Sequence, residues 1–213
     1  MAGPEKRDFD TASKTWDENP GRVKVAGCIA DAILAEVPVS PDMDVVDYGC
    51  GTGLVTLALQ PHVGTINGLD SSAGMLEVLE AKVQDQGITN VFTKPVDLEN
   101  DAVPDLQADL LISSMTTHHV SDLPRVLSAF SDMLKSGGYV AIADLDLDDG
   151  EFHEDNTGVV HDGFDRIELV RMMEAAGFED AKATTACIVP KPVAGKGIRE
   201  FSIFLITARS RRM

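Results

Sequence analysis

The chain has 213 residues, of which 44% are hydrophobic and 25% charged, and its formal net charge at pH 7 is −17. This length and composition suit a soluble globular protein with one substantial core, so we predict a single domain over residues 1–213. An acidic surface repels nucleic-acid phosphates, and no run approaches the roughly 18 apolar residues of a membrane span. We therefore expect neither a nucleic-acid partner nor a membrane span.

The cysteines and the N-terminus bear on the compartment. Three widely spaced cysteines favour reduced thiols over a disulfide framework, and the first residues lack the apolar core of a signal peptide. We expect a cytoplasmic location.

A helical cap is predicted over residues 1–40, ahead of the first strand. The first 20 residues are polar apart from Phe9 and Trp16, and the segment Val23–Val37 has apolar side chains at helical spacing. The prolines that follow end this helix.

Strands and helices then alternate along the chain, which predicts a parallel sheet with helices on both faces. The predicted strands are Val45–Tyr48, Thr65–Leu69, Asn90–Lys94, Asp109–Ser113 and Tyr139–Asp144, and the helices between them are Leu54–Gln60, Ala73–Gln86 and Leu123–Leu134.

This alternation stops after Asp144. Residues 145–163 are acidic and irregular, which predicts an insertion or lid, and a helix follows at Phe164–Ala176. Two β-rich runs, Lys182–Val189 and Phe201–Thr207, are joined without a helix by residues 190–197, so they should pair antiparallel.

The most informative segment is the glycine-rich turn after the first strand. Gly49, Gly51 and Gly53 stand between a strand and a helix, where glycine permits positive φ and the helix start offers free N–H groups. Asp70 ends the next strand 19 positions after Gly51, as a ribose-binding carboxylate would. A tight turn without a ligand is the alternative. Dinucleotide loops follow G-x-G-x-x-G, but Leu54 occupies the third-glycine position, which disfavours an NAD(P)-dependent oxidoreductase.

The segment Asp47–Gly53 resembles motif I of class I methyltransferases, which bind S-adenosylmethionine (SAM). The resemblance continues in order along the chain, at Gly68–Met75 (motif II), Pro95–Leu98 (the adenine-contacting turn), Ala108–Ser114 (the fourth strand) and Leu134–Val140 (the turn into the fifth strand). It is nearest to the broad small-molecule group that includes quinone-biosynthesis C-methyltransferases. It implies an α/β three-layer sandwich around a seven-stranded, mostly parallel sheet, with the last strand antiparallel beside the fifth.

The same resemblance implies a set of SAM-binding residues. The three glycines would lie beneath the methionine part of SAM, Asp47 near its ammonium group, and Ser113 near its reactive end. The other expected contacts are Asp70 to both ribose hydroxyls, with Ser71 beside it, Met75 on the adenine, Asp97 and the Leu98 N–H at the adenine edge, and Trp16 as a seal over the pocket.

Several of these residues have structural alternatives. Asp47 could cap the turn and Asp70 the following helix, while Asp97 could be a solvated loop acid. Met75 could belong to the core, and Trp16 could anchor the N-terminus.

The histidines are the candidate catalytic residues. His118 and His119 follow the fourth strand, where a neutral imidazole could take a proton from an attacking hydroxyl, amine or thiol, or could serve a structural purpose. His153 and His161 lie among acidic residues of the insertion, where a solvated lid is favoured over a metal site. No metal is expected.

The sequence therefore predicts a SAM-dependent methyltransferase acting on a small molecule. A SAM-binding regulatory or scaffold protein without a methyl acceptor is the non-enzymatic alternative. Residues 1–20 and 145–163 are expected to be mobile without ligand and to become ordered over the cofactor.

Overall fold

Seven strands form one mixed sheet in the computed structural model, which describes residues 7–211. The strands are β1 (Asp44–Tyr48), β2 (Thr65–Asp70), β3 (Val91–Pro95), β4 (Ala108–Ser114), β5 (Leu134–Leu145), β6 (Phe178–Val193) and β7 (Gly197–Ser210). Their spatial order is β3-β2-β1-β4-β5-β7-β6; β1 to β5 are parallel, and β7 is antiparallel to both its neighbours. The predicted sheet, including the last strand beside the fifth, is confirmed.

Helices cover both faces of this sheet. They are α1 (Phe9–Ser13), α2 (Pro20–Glu36), α3 (Leu54–Leu59), α4 (Ala73–Asp85), α5 (Leu123–Asp132) and α6 (Arg166–Ala175). No helix among residues 7–211 is both long and apolar enough to cross a membrane.

Side chains alternate between two apolar layers, one on each face of the sheet. Val46 of β1 packs in the layer that contains Phe130 of α5 and Met173 of α6, whereas Val45 packs in the layer that contains Ile29 of α2 and Leu79 of α4. This alternation follows from the two-residue period of a strand and produces the three-layer arrangement.

Helix α2 begins three residues earlier than predicted. The Asn19 side chain accepts hydrogen bonds from the N–H groups of Gly21 and Arg22, and Pro20 occupies the first turn, where its missing N–H is not needed. These capping residues, rather than the apolar periodicity, set the start of the helix.

The prediction of a loop at residues 190–197 was wrong. Strand β6 continues to Val193 and pairs with β7 through Pro190 and Pro192, so only residues 194–196 form the turn. Because β6 is an edge strand, a proline whose N–H position faces solvent breaks no ladder bond.

Strand β5 ends at the first residue of the insertion, and residues 146–163 form neither a helix nor a strand. The insertion packs against the turn after β4. The N–H groups of Val160 and His161 both donate to the carbonyl oxygen of His118, at 2.9 and 3.1 Å. The insertion therefore lies at the carboxyl edge of the parallel strands.

Candidate active site

The three glycines of the loop differ in the space beside their Cα atoms, which is open at Gly51 and filled at Gly49 and Gly53. All three glycines have positive φ, from +54° to +81°. A Cβ on Gly49 would collide with Thr116, and one on Gly53 would collide with Leu79, whereas a Cβ on Gly51 would meet only Met75 Sδ, at 3.9 Å. Gly49 and Gly53 therefore permit close packing, while Gly51 keeps space free beside Met75.

Asp70 fastens this loop to the end of β2. Its Oδ2 accepts from the Gly51 N–H at 2.8 Å, and its Oδ1 accepts from the Ser72 N–H at 2.9 Å. The cap of α4 is Ser72, whose hydroxyl accepts from the Met75 N–H at 3.1 Å. Burial raises the pKa of Asp70, and the N–H bonds counteract this. A carboxylate has about four acceptor positions, and the Ser71 N–H also bonds to Asp70, so at least one position remains for a ligand hydroxyl.

Asp47 is buried at the end of β1, with 1% of its surface exposed. The Thr56 hydroxyl donates to its Oδ2 at 2.5 Å, which ties β1 to α3. Burial is the main reason that the pKa of Asp47 rises to about 7. Asp47 is thus positioned to respond to a nearby cation by releasing a proton.

The remaining predicted cofactor residues occupy different environments. Met75 is buried and Ser71 is exposed. Asp97 accepts from the Glu99 N–H at 3.0 Å and from the Asn100 side chain at 2.8 Å, which organises the turn after β3. The Leu98 side chain is buried, and its carbonyl oxygen accepts from Arg125 Nε at 2.9 Å. The adenine contacts of Asp97 and Leu98 stay predictions.

The N-terminal segment crosses the glycine loop and the start of α4. Asp10 Oδ1 accepts from the Ser72 hydroxyl at 2.6 Å and from the Gly74 N–H at 2.9 Å. Asp17 accepts from the Thr52 hydroxyl at 2.6 Å and forms an ion pair with Lys82. These contacts place a cover over the predicted cofactor residues.

Trp16 lies in this cover and is half-buried. Its ring is edge-on to Phe9, with centroids 6.0 Å apart, and the guanidinium of Arg22 lies 3.9 Å from its centroid. Phe9 in turn contacts His119, with ring centroids 5.1 Å apart. Trp16 therefore belongs to an aromatic wall that leads to the predicted catalytic histidines.

His118 is held by a buried carboxylate that sequence reasoning did not assign to the site. Its Nδ1 lies 2.8 Å from Oδ1 of Asp144, near the end of β5. Asp144 Oδ2 also accepts from the Thr117 hydroxyl at 2.6 Å and from the His118 N–H at 3.1 Å. Burial opposes ionisation of Asp144, but these partners outweigh it and its pKa is lowered.

Three buried polar atoms among residues 7–211 have no hydrogen-bond partner: Ser113 Oγ, His118 Nε2 and His153 Nε2. Ser113 ends the segment of β4 that pairs with β1, and the ring centroids of His118 and His153 are 4.9 Å apart. Unpartnered buried polar groups are uncommon and mark places where a ligand can bind. Both His118 and Ser113 were predicted site residues, whereas His153 was assigned only to the lid.

His119 and His153 have lowered pKa values, and His119 and His161 bond to backbone carbonyl oxygens. Burial and the neighbouring imidazoles lower the pKa of His119 to about 4 and that of His153 to about 3. His119 Nδ1 lies 2.7 Å from the Gly158 carbonyl oxygen, and His161 Nε2 lies 2.9 Å from that of Val120. No group of three or more His, Cys, Asp or Glu side chains within residues 7–211 is arranged to hold a metal ion.

A sequence model of the family described as "Methyltransferase domain" matches residues 24–183, about three quarters of the chain. The chain belongs to this methyltransferase family. An uncharacterised methyltransferase of Schizosaccharomyces pombe is 29% identical to this chain over 155 residues, which are 66% of this chain and 55% of that protein. Trans-aconitate 2-methyltransferase of Deinococcus radiodurans is 36% identical over 112 residues, which are 52% of this chain and 41% of that protein.

The fold of this chain is also that of solved structures. The YcgJ protein of Bacillus subtilis superimposes with a TM-score of 0.73 at 17% identity, covering 87% of this chain and 99% of that one. The match to the curated relatives spans about half of their length. No finding bears on the predicted likeness to quinone-biosynthesis enzymes.

The site fits SAM, the cofactor of the family to which the chain belongs. Open space above Gly51 lets a ligand lie against backbone, Asp70 has at least one acceptor position left for a ribose hydroxyl, and Met75 borders the same space. The unpartnered Ser113 hydroxyl lies at the neighbouring strand end. The residues that would hold SAM are thus present and oriented toward one edge of the sheet.

Proposed function

We propose that this chain transfers a methyl group from SAM to a small molecule, and that His118 takes the proton from the attacking atom. One observation carries the proposal: His118 Nε2 is buried and unpartnered among residues 7–211, while its Nδ1 is held by Asp144. The turn that contains His118 is attached to the glycine loop, because the Thr116 hydroxyl bonds to the Gly49 carbonyl oxygen at 3.3 Å.

The hydrogen bond to Asp144 determines the tautomer of His118. A carboxylate can only accept, and the pKa of Asp144 is lowered, so the proton of the neutral imidazole resides on Nδ1. Nε2 then carries the free lone pair. Asp144 also stabilises the imidazolium that forms when Nε2 takes a proton, which makes His118 a suitable general base.

Apart from a general base, methyl transfer requires the protein only to orient the acceptor and to exclude water. SAM supplies, when bound, a methyl group already activated by its sulfonium. The side chains orient the acceptor and exclude water; Trp16, through Phe9, and the insertion residue His153 both border the site. An acceptor hydroxyl, amine or thiol could donate to His118 Nε2 and lose its proton as the methyl group arrives.

A small acceptor is supported by the enclosure of His118 and by one relative. His118 is 1% exposed, beneath the insertion, which leaves no broad surface for a macromolecule at this point. The D. radiodurans relative is named for a small organic acid. The net charge of −17 argues further against nucleic acid.

The test measures S-adenosylhomocysteine formed from SAM and a fractionated metabolite extract. His118→Gln should lower product formation at least about 100-fold, the usual contribution of a general base, while SAM affinity in calorimetry stays within threefold of wild type. Asp144→Asn should also lower product formation, because the amide favours the tautomer with the proton on Nδ1 less strongly than the carboxylate does. His62→Gln, at an exposed histidine, is the matched control.

Two results would contradict the proposal. Full activity of a folded His118→Gln variant would remove His118 as the base. SAM binding without product from any extract fraction would favour a SAM-binding regulatory or scaffold protein.

A further inference from the structure

Three basic side chains near the site lack an acidic partner. Seven basic residues among residues 7–211 are partly buried, and four of these pair with carboxylates: Lys82, Lys135, Arg166 and Arg199. The other three, Arg7, Arg22 and Lys191, have no carboxylate within ion-pair distance in that part of the chain. In a protein with 35 acidic and 18 basic residues, unpaired cations at one place require an explanation.

These three cations border the same aromatic wall. The guanidinium carbons of Arg22 and Arg7 lie 3.9 and 5.9 Å from the Trp16 ring centroid, and Lys191 Nζ lies 4.4 Å from that of Phe152. The intervening rings are in contact from one end to the other, in the order Trp16, Phe9, His119, His118, His153 and Phe152. The ring centroids of His119 and His153 are also 6.3 Å apart, so this series of rings bends at His118, and the charge of Arg22 reaches Lys191.

The arrangement is costly without a ligand. Burial lowers the pKa of Arg22, and the charge of Arg7 lowers it further; burial and Arg22 have the same effect on Lys191. The acidic groups that face them, Glu154, Asp155 and Asp148, are too distant for ion pairs; Glu154 and Asp155 are exposed, and Asp148 is partly buried. Cation–π contacts hold the cations in place, and Arg22 and Lys191 also donate hydrogen bonds to the carbonyl oxygens of Trp16 and Phe152. No carboxylate within residues 7–211 pairs with these charges.

We propose that Arg7, Arg22 and Lys191 bind an anionic group of the methyl acceptor, a carboxylate or a phosphate, while the atom to be methylated lies at His118. Arginine forks match the paired oxygens of both anions, and a lysine adds a point charge. This inference rests on the proposed function and specifies its substrate class.

The cofactor's own carboxylate is a competing occupant, so the experiment uses protein saturated with S-adenosylhomocysteine. Citrate and inorganic phosphate are titrated separately, with chloride at the same ionic strength as the reference. Trp16 is the only tryptophan, and its ring contacts Arg22, so its emission reports on an anion at that position. Calorimetry gives an independent dissociation constant.

We expect saturable binding of citrate or phosphate, and the tighter of the two identifies the anionic group. Arg22→Gln and Lys191→Gln should each weaken it about tenfold, the loss of a charge-assisted hydrogen bond, while Arg22→Lys, which keeps the charge but loses the fork, should weaken it less. Lys24→Gln, at an exposed lysine on the same helix as Arg22, is the control and should bind as wild type does.

Three outcomes would overturn the inference. They are no saturable response beyond chloride, equal binding by wild type and both glutamine variants, and binding that occurs only when S-adenosylhomocysteine is absent. The last outcome would assign the cations to the cofactor carboxylate. Failure of S-adenosylhomocysteine itself to bind would instead count against the proposed function, so the two failures are distinguishable.

Discussion

The Gly51 N–H donates to Asp70 Oδ2 at 2.8 Å, which joins the turn after β1 to the end of β2. The two residues are 19 positions apart, and each was expected to bind a different part of SAM. Their bond means that the positions predicted for the methionine and ribose parts of SAM share one support. A substitution at either residue should therefore alter the position of the other.

Asp70→Ala should weaken SAM binding by about 2–3 kcal/mol, since the ribose hydroxyls lose a charged acceptor and the Gly51 and Ser72 N–H groups lose theirs. Isothermal titration calorimetry on folded protein measures the effect. Asp85→Ala, at an exposed acid on α4, should leave affinity unchanged. An unaltered affinity in Asp70→Ala would remove Asp70 from the cofactor site.

Alanine at the loop glycines should separate a binding role from a packing role. Gly51→Ala places a methyl group in open space beside Met75, so it should lower SAM affinity while costing about 1 kcal/mol of stability from its positive φ. Gly49→Ala and Gly53→Ala collide with Thr116 and Leu79, and should lower the melting temperature more. Thermal unfolding measures the melting temperatures of the three variants, and calorimetry measures their SAM affinities. Wild-type affinity in Gly51→Ala would mean that the open space is not the cradle.

SAM binding near pH 6.5 should release a proton from Asp47. Its pKa is about 7 in the free protein because it is buried, so much of it is protonated at that pH. A ligand ammonium nearby would favour the carboxylate and lower its pKa. Calorimetry in two buffers of different ionisation enthalpy counts the released protons. Asp47→Asn should release fewer, and an identical count in both proteins would separate Asp47 from the ammonium.

Acid should destabilise the protein through its buried imidazoles. The pKa values of His119 and His153 in the folded chain are about 4 and about 3, below the ordinary value of 6.5, so unfolding takes up protons between those limits. Stability from these groups is present above pH 6.5 and is lost as pH falls. Asp47 acts oppositely, because its raised pKa makes its contribution fall as pH rises from 3.8 toward 7.

Urea unfolding from pH 4.5 to 7.5 separates these opposing trends. His153→Asn should flatten the acid side of the stability profile, and His62→Asn, at an exposed histidine, should not. A His153→Asn profile that parallels that of wild type would show that His153 charges freely in the folded protein.

Closure of the two covering segments remains a prediction. Binding of S-adenosylhomocysteine should shift the emission of Trp16, which is half-buried between Phe9 and Arg22, and should slow hydrogen exchange in residues 145–163. Unchanged emission together with unchanged exchange would leave these segments as fixed parts of the surface.

The sheet and the loop from Asp47 to Gly53 were predictable because both depend on local patterns: strand alternation and glycine spacing. The role of Asp144 was not predicted: it ends the predicted fifth strand, but only the fold shows that its partner is His118, 26 positions away. The length of β6 was missed for another reason. Pro190 is a strand breaker in most contexts, and only its position on a sheet edge makes it tolerable.

The group of three cations was not predictable from the sequence either. Arg22 lies on α2 and Lys191 on β6, and no sequence pattern relates them. Only tertiary folding brings both to the aromatic wall around His118.

The hydrogen bonds of Asp10 and Asp17 to the glycine loop and to α4 have a kinetic consequence. These bonds hold the short segment against Thr52, Ser72 and Gly74, next to the open space at Gly51, and we expect a ligand there to leave when part of the segment detaches. The sheet itself need not move. We expect the rate of opening of this segment to control how fast spent cofactor departs, so that turnover depends more on residues 7–18 than on the transfer step.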